Sequence, residues 1–173
     1  MTERAPLTGR AAKFSADEFI VSKTNTKGII TYANDVFLRV AGYTQEEVLG
    51  KPHNIIRHPA MPRCVFRLLW ERIRMGNEIF SYVLNRAKNG DHYWVLAHVT
   101  PSFDAQQNII GFHSNRRLPR AEVVQAVEPL DTQLRQIEDS AATPGAGIDA
   151  AGAQLRAWVD SHGGNYDEIM FTL

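Results

Sequence analysis

Short apolar runs broken by polar turns fill the first third of the chain. Phe19-Ile20-Val21 leads into Ser22–Thr26, and Lys27-Gly28 turns into Ile29-Ile30-Thr31-Tyr32. Two β-rich runs joined this way predict a hairpin. Asn34-Asp35 can cap a short helix that carries Val36, Phe37 and Val40 and stops at Gly42. Thr44 with Glu47 forms a capping box for another short helix that ends at Gly50. Helices of one or two turns do not stand alone, so these must lie on a larger surface.

Helical spacing then lengthens. Behind Pro62, which suits a helix start, Val65, Leu68, Leu69 and Ile73 form one stripe closed by Gly76. Three strand candidates follow: Ile79–Ala87, Asp91–Phe103 and Ile109–Asn115. Asn89-Gly90 is a strong hairpin signal between the first two, and Asp104–Asn108 is a polar connection of hairpin length. Pro101 points to an edge or bulge. Beyond Pro119, the stripe Val123, Val124, Val127, Leu130, Leu134 and Ile137 predicts a helix, with a kink or boundary at Pro129. Ala141–Gly147 reads as a linker and Ile148–Trp158 as a second helix. The tail Asn165–Leu173 ends in Ile169-Met170-Phe171, too apolar to stay in solvent, and is expected to dock on its own domain or on a partner. A short helix is expected at Arg10–Phe14.

The predicted class is α+β: a five-stranded antiparallel sheet with short helices and one long helix on one face, plus a C-terminal helical extension. The expected divisions are an N-terminal cap segment (1–14), a central domain (15–118), and a helical extension with a docking tail (119–173). A ligand cavity belongs between sheet and helices. Strands Phe80–Ala87 and Asp91–Phe103 are apolar on both faces, so something must cover the outer one. Arg10–Phe14, the Val123–Ile137 helix and the Ile169–Phe171 tail are the candidates, in cis or across a two-fold axis, and a homodimer with these segments at its interface is expected.

Composition narrows the function. A chain of 173 residues and 19.4 kDa suits one domain with additions, and 44% hydrophobic with 22% charged residues excludes a disordered or fibrous protein. Nineteen basic and nineteen acidic residues leave no net charge to steer the chain to nucleic acid or anionic lipid. The balance is uneven: residues 1–137 carry +5 and residues 138–173 carry −5. The single Cys64 excludes an internal disulfide framework and fits a reducing compartment. No apolar run approaches the ~20 residues of a membrane helix, and the N-terminus lacks an apolar signal core. A soluble cytoplasmic protein without nucleic-acid or membrane partners is expected.

Several strings then stand out: Ile29-Ile30-Thr31-Tyr32-Ala33-Asn34-Asp35, Ala41-Gly42-Tyr43-Thr44, His53-Asn54-Ile55-Ile56-Arg57-His58-Pro59, Lys88-Asn89-Gly90-Asp91-His92-Tyr93-Trp94-Val95 and Ala126-Val127-Glu128-Pro129-Leu130. With the element order, these resemble a PAS domain, and in particular the flavin-binding PAS domain of bacterial aerotaxis receptors, over about residues 15–135. The resemblance implies a sensor that holds FAD and reports redox or oxygen status to a downstream signalling protein. Ala60 and Ile79 depart from the group's usual Asp and Trp. The chain ends at Leu173 without that group's membrane segment, so output is expected to pass through a partner.

The resemblance also directs attention to particular residues. Arg57 and His58 are expected at the cavity mouth, where a guanidinium can take a phosphate oxygen bidentately. Asn85 offers both donor and acceptor to the edge of a flavin ring. His113 stands where light-sensing relatives carry a flavin-contacting Gln. Trp70 can stack on the ring, and Asn34 enters through the resemblance alone. The arginines Arg63, Arg67 and Arg74 form a basic edge that could face a diphosphate. His53 replaces the cysteine of photoreactive flavin sensors. None of the six histidines has metal-ligand spacing, Gly145-x-Gly147 is not a dinucleotide fingerprint, and no nucleophile elbow appears. The chain does not read as an enzyme. A haem-binding PAS sensor using His53 or His58, or a cofactor-free interaction module, are the alternatives.

Overall fold

A computed structural model describes residues 4–173. Five strands are present: β1 (Ile20–Asn25), β2 (Ile30–Ala33), β3 (Ile79–Arg86), β4 (His92–Phe103) and β5 (Ile109–Arg117). They form one antiparallel sheet in the order β2-β1-β5-β4-β3. Between β2 and β3 lie α1 (Asp35–Ala41), α2 (Gln45–Val48), a 3₁₀ turn at His53–Ile56 and the long α3 (Arg63–Arg74). The cap signals read from the sequence are in place. Asn34 accepts from the Phe37 amide, and Thr44 with Glu47 closes the capping box. Pro62 sits one residue before the first turn of α3. Pro101 lies beyond Val99, the last β4 residue paired with β3, so only β5 flanks it.

Three local expectations need correction. Arg10–Phe14 is extended rather than helical: the Arg10 carbonyl accepts from the His92 amide, and Ala12 donates to the His92 carbonyl. The reason lies in the sheet. β5 ends at Arg117 opposite Leu96, and the start of β4 would otherwise leave backbone groups bare. Pro129 does not end a helix, because α4 runs unbroken from Ala121 to Ser140. One lost backbone bond is outweighed by the packing of its buried face, which includes Val123, Val127 and Leu134. Val124 lies beside that stripe rather than in it. The supposed linker shrinks to Ala141–Thr143, because α5 spans Pro144–Ser161 with Thr143 as its cap and Pro144 in its first turn.

The C-terminal helices return to the central domain. α4 packs on α5, α5 on α3, and α6 (Tyr166–Thr172) on β3. The tail therefore docks in cis. Asp167 accepts from the Phe80 amide at 2.9 Å and pairs with Arg72 at 2.5 Å. Tyr166 meets Ser81 at 2.9 Å, and the Tyr82 hydroxyl donates to the Met170 carbonyl. Phe171 packs on Phe80. α6 thus blunts the exposed edge of β3. The α4 stripe also buries two acids, Asp131 and Glu138. Glu138 accepts from the Cys64 amide at 2.8 Å. It supplies the cap that Pro62 cannot, from 74 residues away.

Candidate functional site

The inner face of the sheet follows from strand parity. Ser22 and Thr24, Val83 and Asn85, Ala97 and Val99, and Phe112, Ser114 and Arg116 alternate along their strands, and all of them line one cavity of ≈ 290 Å³. Opposite them, α3 contributes Phe66, Leu69, Trp70 and Ile73 at helical spacing. Lys27, Pro52 and Asn54 are exposed and mark the mouth. There Arg57 lies over Phe66 at 5.0 Å and Arg74 over Trp70 at 4.9 Å. Gly28 allows the β1–β2 turn to press on Trp70. Its φ is +75°, and a Cβ there would stand 2.9 Å from the indole.

Arg116 dominates the electrostatics. It is 4% exposed. One terminal nitrogen donates to Ser22 Oγ at 3.0 Å and to His53 Nε2 at 2.6 Å. Its other terminal nitrogen is buried without a partner, and no carboxylate pairs with it among the described residues. Burial lowers its pKa only to about 10, so it remains a cation at neutral pH. Desolvation, with Arg116 as a second cause, holds His53 down at about 3. Neutral His53 can then offer Nε2 as an acceptor to the guanidinium. The Tyr93 hydroxyl, also buried and unpartnered, is pushed upward by burial and drawn the other way by Arg116.

The lowered His53 pKa has a consequence for stability. Its contribution is complete above the free imidazole value and is lost as pH falls toward about 3. Relative to a His53→Asn variant, the wild-type unfolding free energy should fall by an extra ~1.4 kcal/mol per pH unit between about pH 6 and 4. Urea curves of the two proteins check this; parallel pH profiles would refute it.

The expected site residues divide sharply. Arg57, Trp70 and Asn85 line the cavity. Arg57 and Asn85 are joined by a backbone bridge, which places the mouth arginine beside the strand amide. Asn34, His58 and His113 do not line it. The Asn34 side chain is fully used: its oxygen accepts from Val21 and Phe37 amides, and its nitrogen donates to the Phe19 carbonyl. His58 Nδ1 accepts from the Ala60 amide, and its ring faces His92. His113 has the opposite parity from Phe112 and Ser114 and lies beside Lys23 on the outer face. Arg67 of the basic edge is tied to Asp149 of the extension, and its neighbour on α3, Arg72, to Asp167.

Arg116, Ser22 and Ser114 lie outside the expected set, and His53 entered it only as an alternative haem ligand. For Ser114 and Arg116 the signal was the run Phe112-x-Ser114-x-Arg116, which places two polar groups on the cavity parity of β5. Four buried polar atoms without partners belong to cavity-lining residues: Arg57 Nε, Asn85 Nδ2, Ser114 Oγ and an Arg116 terminal nitrogen. Each such orphan costs ~1–3 kcal/mol. A largely apolar cavity whose lining residues carry unsatisfied polar atoms suits a small ligand with polar groups of its own.

Comparison with known proteins agrees with that architecture. A profile of the PAS fold matches residues 30–116. The chain belongs to the PAS family. This PAS chain is 39% identical over 130 residues to the aerotaxis receptor of Escherichia coli K12, covering 75% of the chain and 26% of the receptor. It is 33% identical over 84 residues to the biofilm dispersion protein BdlA of Pseudomonas aeruginosa, covering 48% of the chain and 20% of that protein. The PAS chain thus spans about a quarter of the aerotaxis receptor's length. Among solved structures, the light-state LOV domain of the blue-light photoreceptor aureochrome1 superposes with a TM-score of 0.56 at 19% identity, covering 65% of this chain and 88% of that one. A light-oxygen-voltage domain studied with a flavin analogue gives 0.56 at 20% identity, covering 71% and 87%. These two show a shared fold.

The haem reading loses its ligands. His53 Nε2 is engaged by Arg116 and Ser22, and His58 does not line the cavity. The two departures from the group's pattern, Ala60 and Ile79, both lie away from the lining; Ala60 is exposed and Ile79 is in the core.

Proposed function

We propose that this PAS domain is a flavin-based sensor that holds FAD and passes the state of the ring to a signalling partner in the cytoplasm. The observation that carries the reading is the set of unpartnered polar atoms from Arg57, Asn85, Ser114 and Arg116 around an otherwise apolar cavity. At ≈ 290 Å³ the cavity lies at the low end of small-molecule sites, enough for a tricyclic ring but not for a dinucleotide. The ring system belongs inside, and the phosphates belong at the mouth beside Lys27, Arg57 and Arg74. Asn85 would read the paired C=O and N–H edge of the ring, while Arg116 would donate to a ring carbonyl. When bound, the flavin supplies redox chemistry whose change of charge the protein must detect. The protein's own part is to present a fixed cation, exclude water and let α3 respond. α3 lines the cavity and receives its cap from Glu138, which links the site to the C-terminal helices. The outer sheet face, with Trp94 and Leu96 half-buried, is the surface offered to a partner or a second copy.

Stripped protein titrated with FAD tests the reading through flavin fluorescence. Asn85→Ala is expected to weaken binding about tenfold, the cost of one buried hydrogen-bonding group. Equal affinity in wild type and variant would reject Asn85 as a ring contact.

A further inference from the structure

The seam between the PAS core and its C-terminal helices contains a buried acid that nothing neutralises. Asp131 sits in the apolar stripe of α4 between Val127 and Leu134 and is 7% exposed. Its Oδ2 is buried without a hydrogen-bond partner, and it makes no ion pair among the described residues. Glu138, two turns on, shows what a satisfied buried acid looks like here, with the Cys64 amide and Arg135 at 2.8 and 3.1 Å.

Two groups that Asp131 influences across the seam are themselves acids. α3 presents the Cys64 thiol and α6 the Tyr166 hydroxyl, and Asp131 contributes to the upward shift of both. Glu128 lies one turn back on α4 and disfavours the Asp131 carboxylate. α5 buries Gly147, Ala151, Gly152, Leu155 and Val159, none of them titratable. Burial is the larger cause, and together with Glu128 it raises Asp131 to about 7.

We propose that Asp131 is a proton-operated latch: protonated, it lets α4 lie on α3, and ionised, it loosens the C-terminal helices from the PAS core. The sign follows from linkage. The docked state keeps the proton up to about pH 7, whereas a solvated Asp releases it near 3.8. Docking is therefore strongest in acid and weakens as pH rises through the docked value. The latch does not depend on what the cavity binds. It would make the position of the extension, which caps α3 through Glu138, respond to the proton concentration around the protein.

Cys64 supplies a native probe, being the single thiol and buried in the same seam. Full-length protein is labelled with 4,4′-dithiodipyridine under conditions where the rate tracks seam opening, with Asp131→Asn labelled in parallel at each pH to cancel the intrinsic thiolate dependence. The wild-type to variant rate ratio should rise about thirtyfold between about pH 5.5 and 8.5. A ratio constant over that range overturns the latch. Carbon-13 NMR of the Asp131 carboxyl in unmodified protein gives an independent reading. A midpoint near 7 supports the proposal, and one below about 5 overturns it whatever the variant does.

Discussion

Replacing Arg116 with methionine is expected to move flavin affinity and cofactor-free stability in opposite directions. Arg116 is buried, carries its charge at neutral pH, and has a terminal nitrogen without a partner. That cation is met by Ser22 Oγ, the neutral His53 ring and the face of Phe37 at 5.8 Å, with no carboxylate beside it among the described residues. Exchanging it for an apolar side chain of similar length should stabilise the cofactor-free protein by ~1–2 kcal/mol, because an uncompensated buried charge disappears. On the proposed reading, the same exchange also removes a charge-assisted donor from the cavity lining. Affinity for FAD should drop by ~1.5–3 kcal/mol, roughly 10- to 150-fold. Urea denaturation of the stripped proteins and flavin titration measure the two effects separately. A variant that loses both stability and affinity would mean that Arg116 is a structural strut.

The other large effect is expected at Gly147. A methyl group there would sit 2.5 Å from the Glu138 carbonyl oxygen and 3.0 Å from its Cα, both backbone atoms that cannot swing aside. Gly147→Ala must therefore push α5 off α4 at the residue that caps α3. A cost of ~3 kcal/mol is expected from overpacking against backbone. Because the strain is confined to the extension, α4–α6 should lose amide-exchange protection while the β1–β5 sheet retains it. Unchanged protection in α5 and α6 would show that the two helices can separate without loss.

Gly147 also marks a limit of reading the chain alone. Pro144, Gly145 and Gly147 look like a linker by composition, yet Pro144 occupies a helix's first turn and Gly147 a close helix crossing. Both are tertiary facts that local spacing does not carry. The central domain was more legible. The capping box at Thr44, the Asn89-Gly90 turn and the α3 stripe each couple a local residue choice to a local geometry, and each is present. Of the residues the resemblance pointed to, Arg57, Trp70 and Asn85 line the cavity, whereas Asn34 and His58 are hydrogen-bonded elsewhere and His113 lies on the outer face of the sheet. His113 lies one residue off the cavity face of β5. A slip of one turns a strand side chain to the opposite face, so the cavity parity of β5 belongs to Ser114 and Arg116. The burial of Arg116 comes from the sheet order, which places it between Ile20 of β1 and Ala97 of β4.

The most direct test of the central claim is the absorption spectrum of the purified full-length protein, followed by heat release and identification of its chromophore. Flavin bands near 370 and 450 nm, with released FAD at about one per chain, are the predicted result. A colourless protein that also fails to take up FAD when it is supplied, or a Soret band in place of the flavin pair, would contradict it.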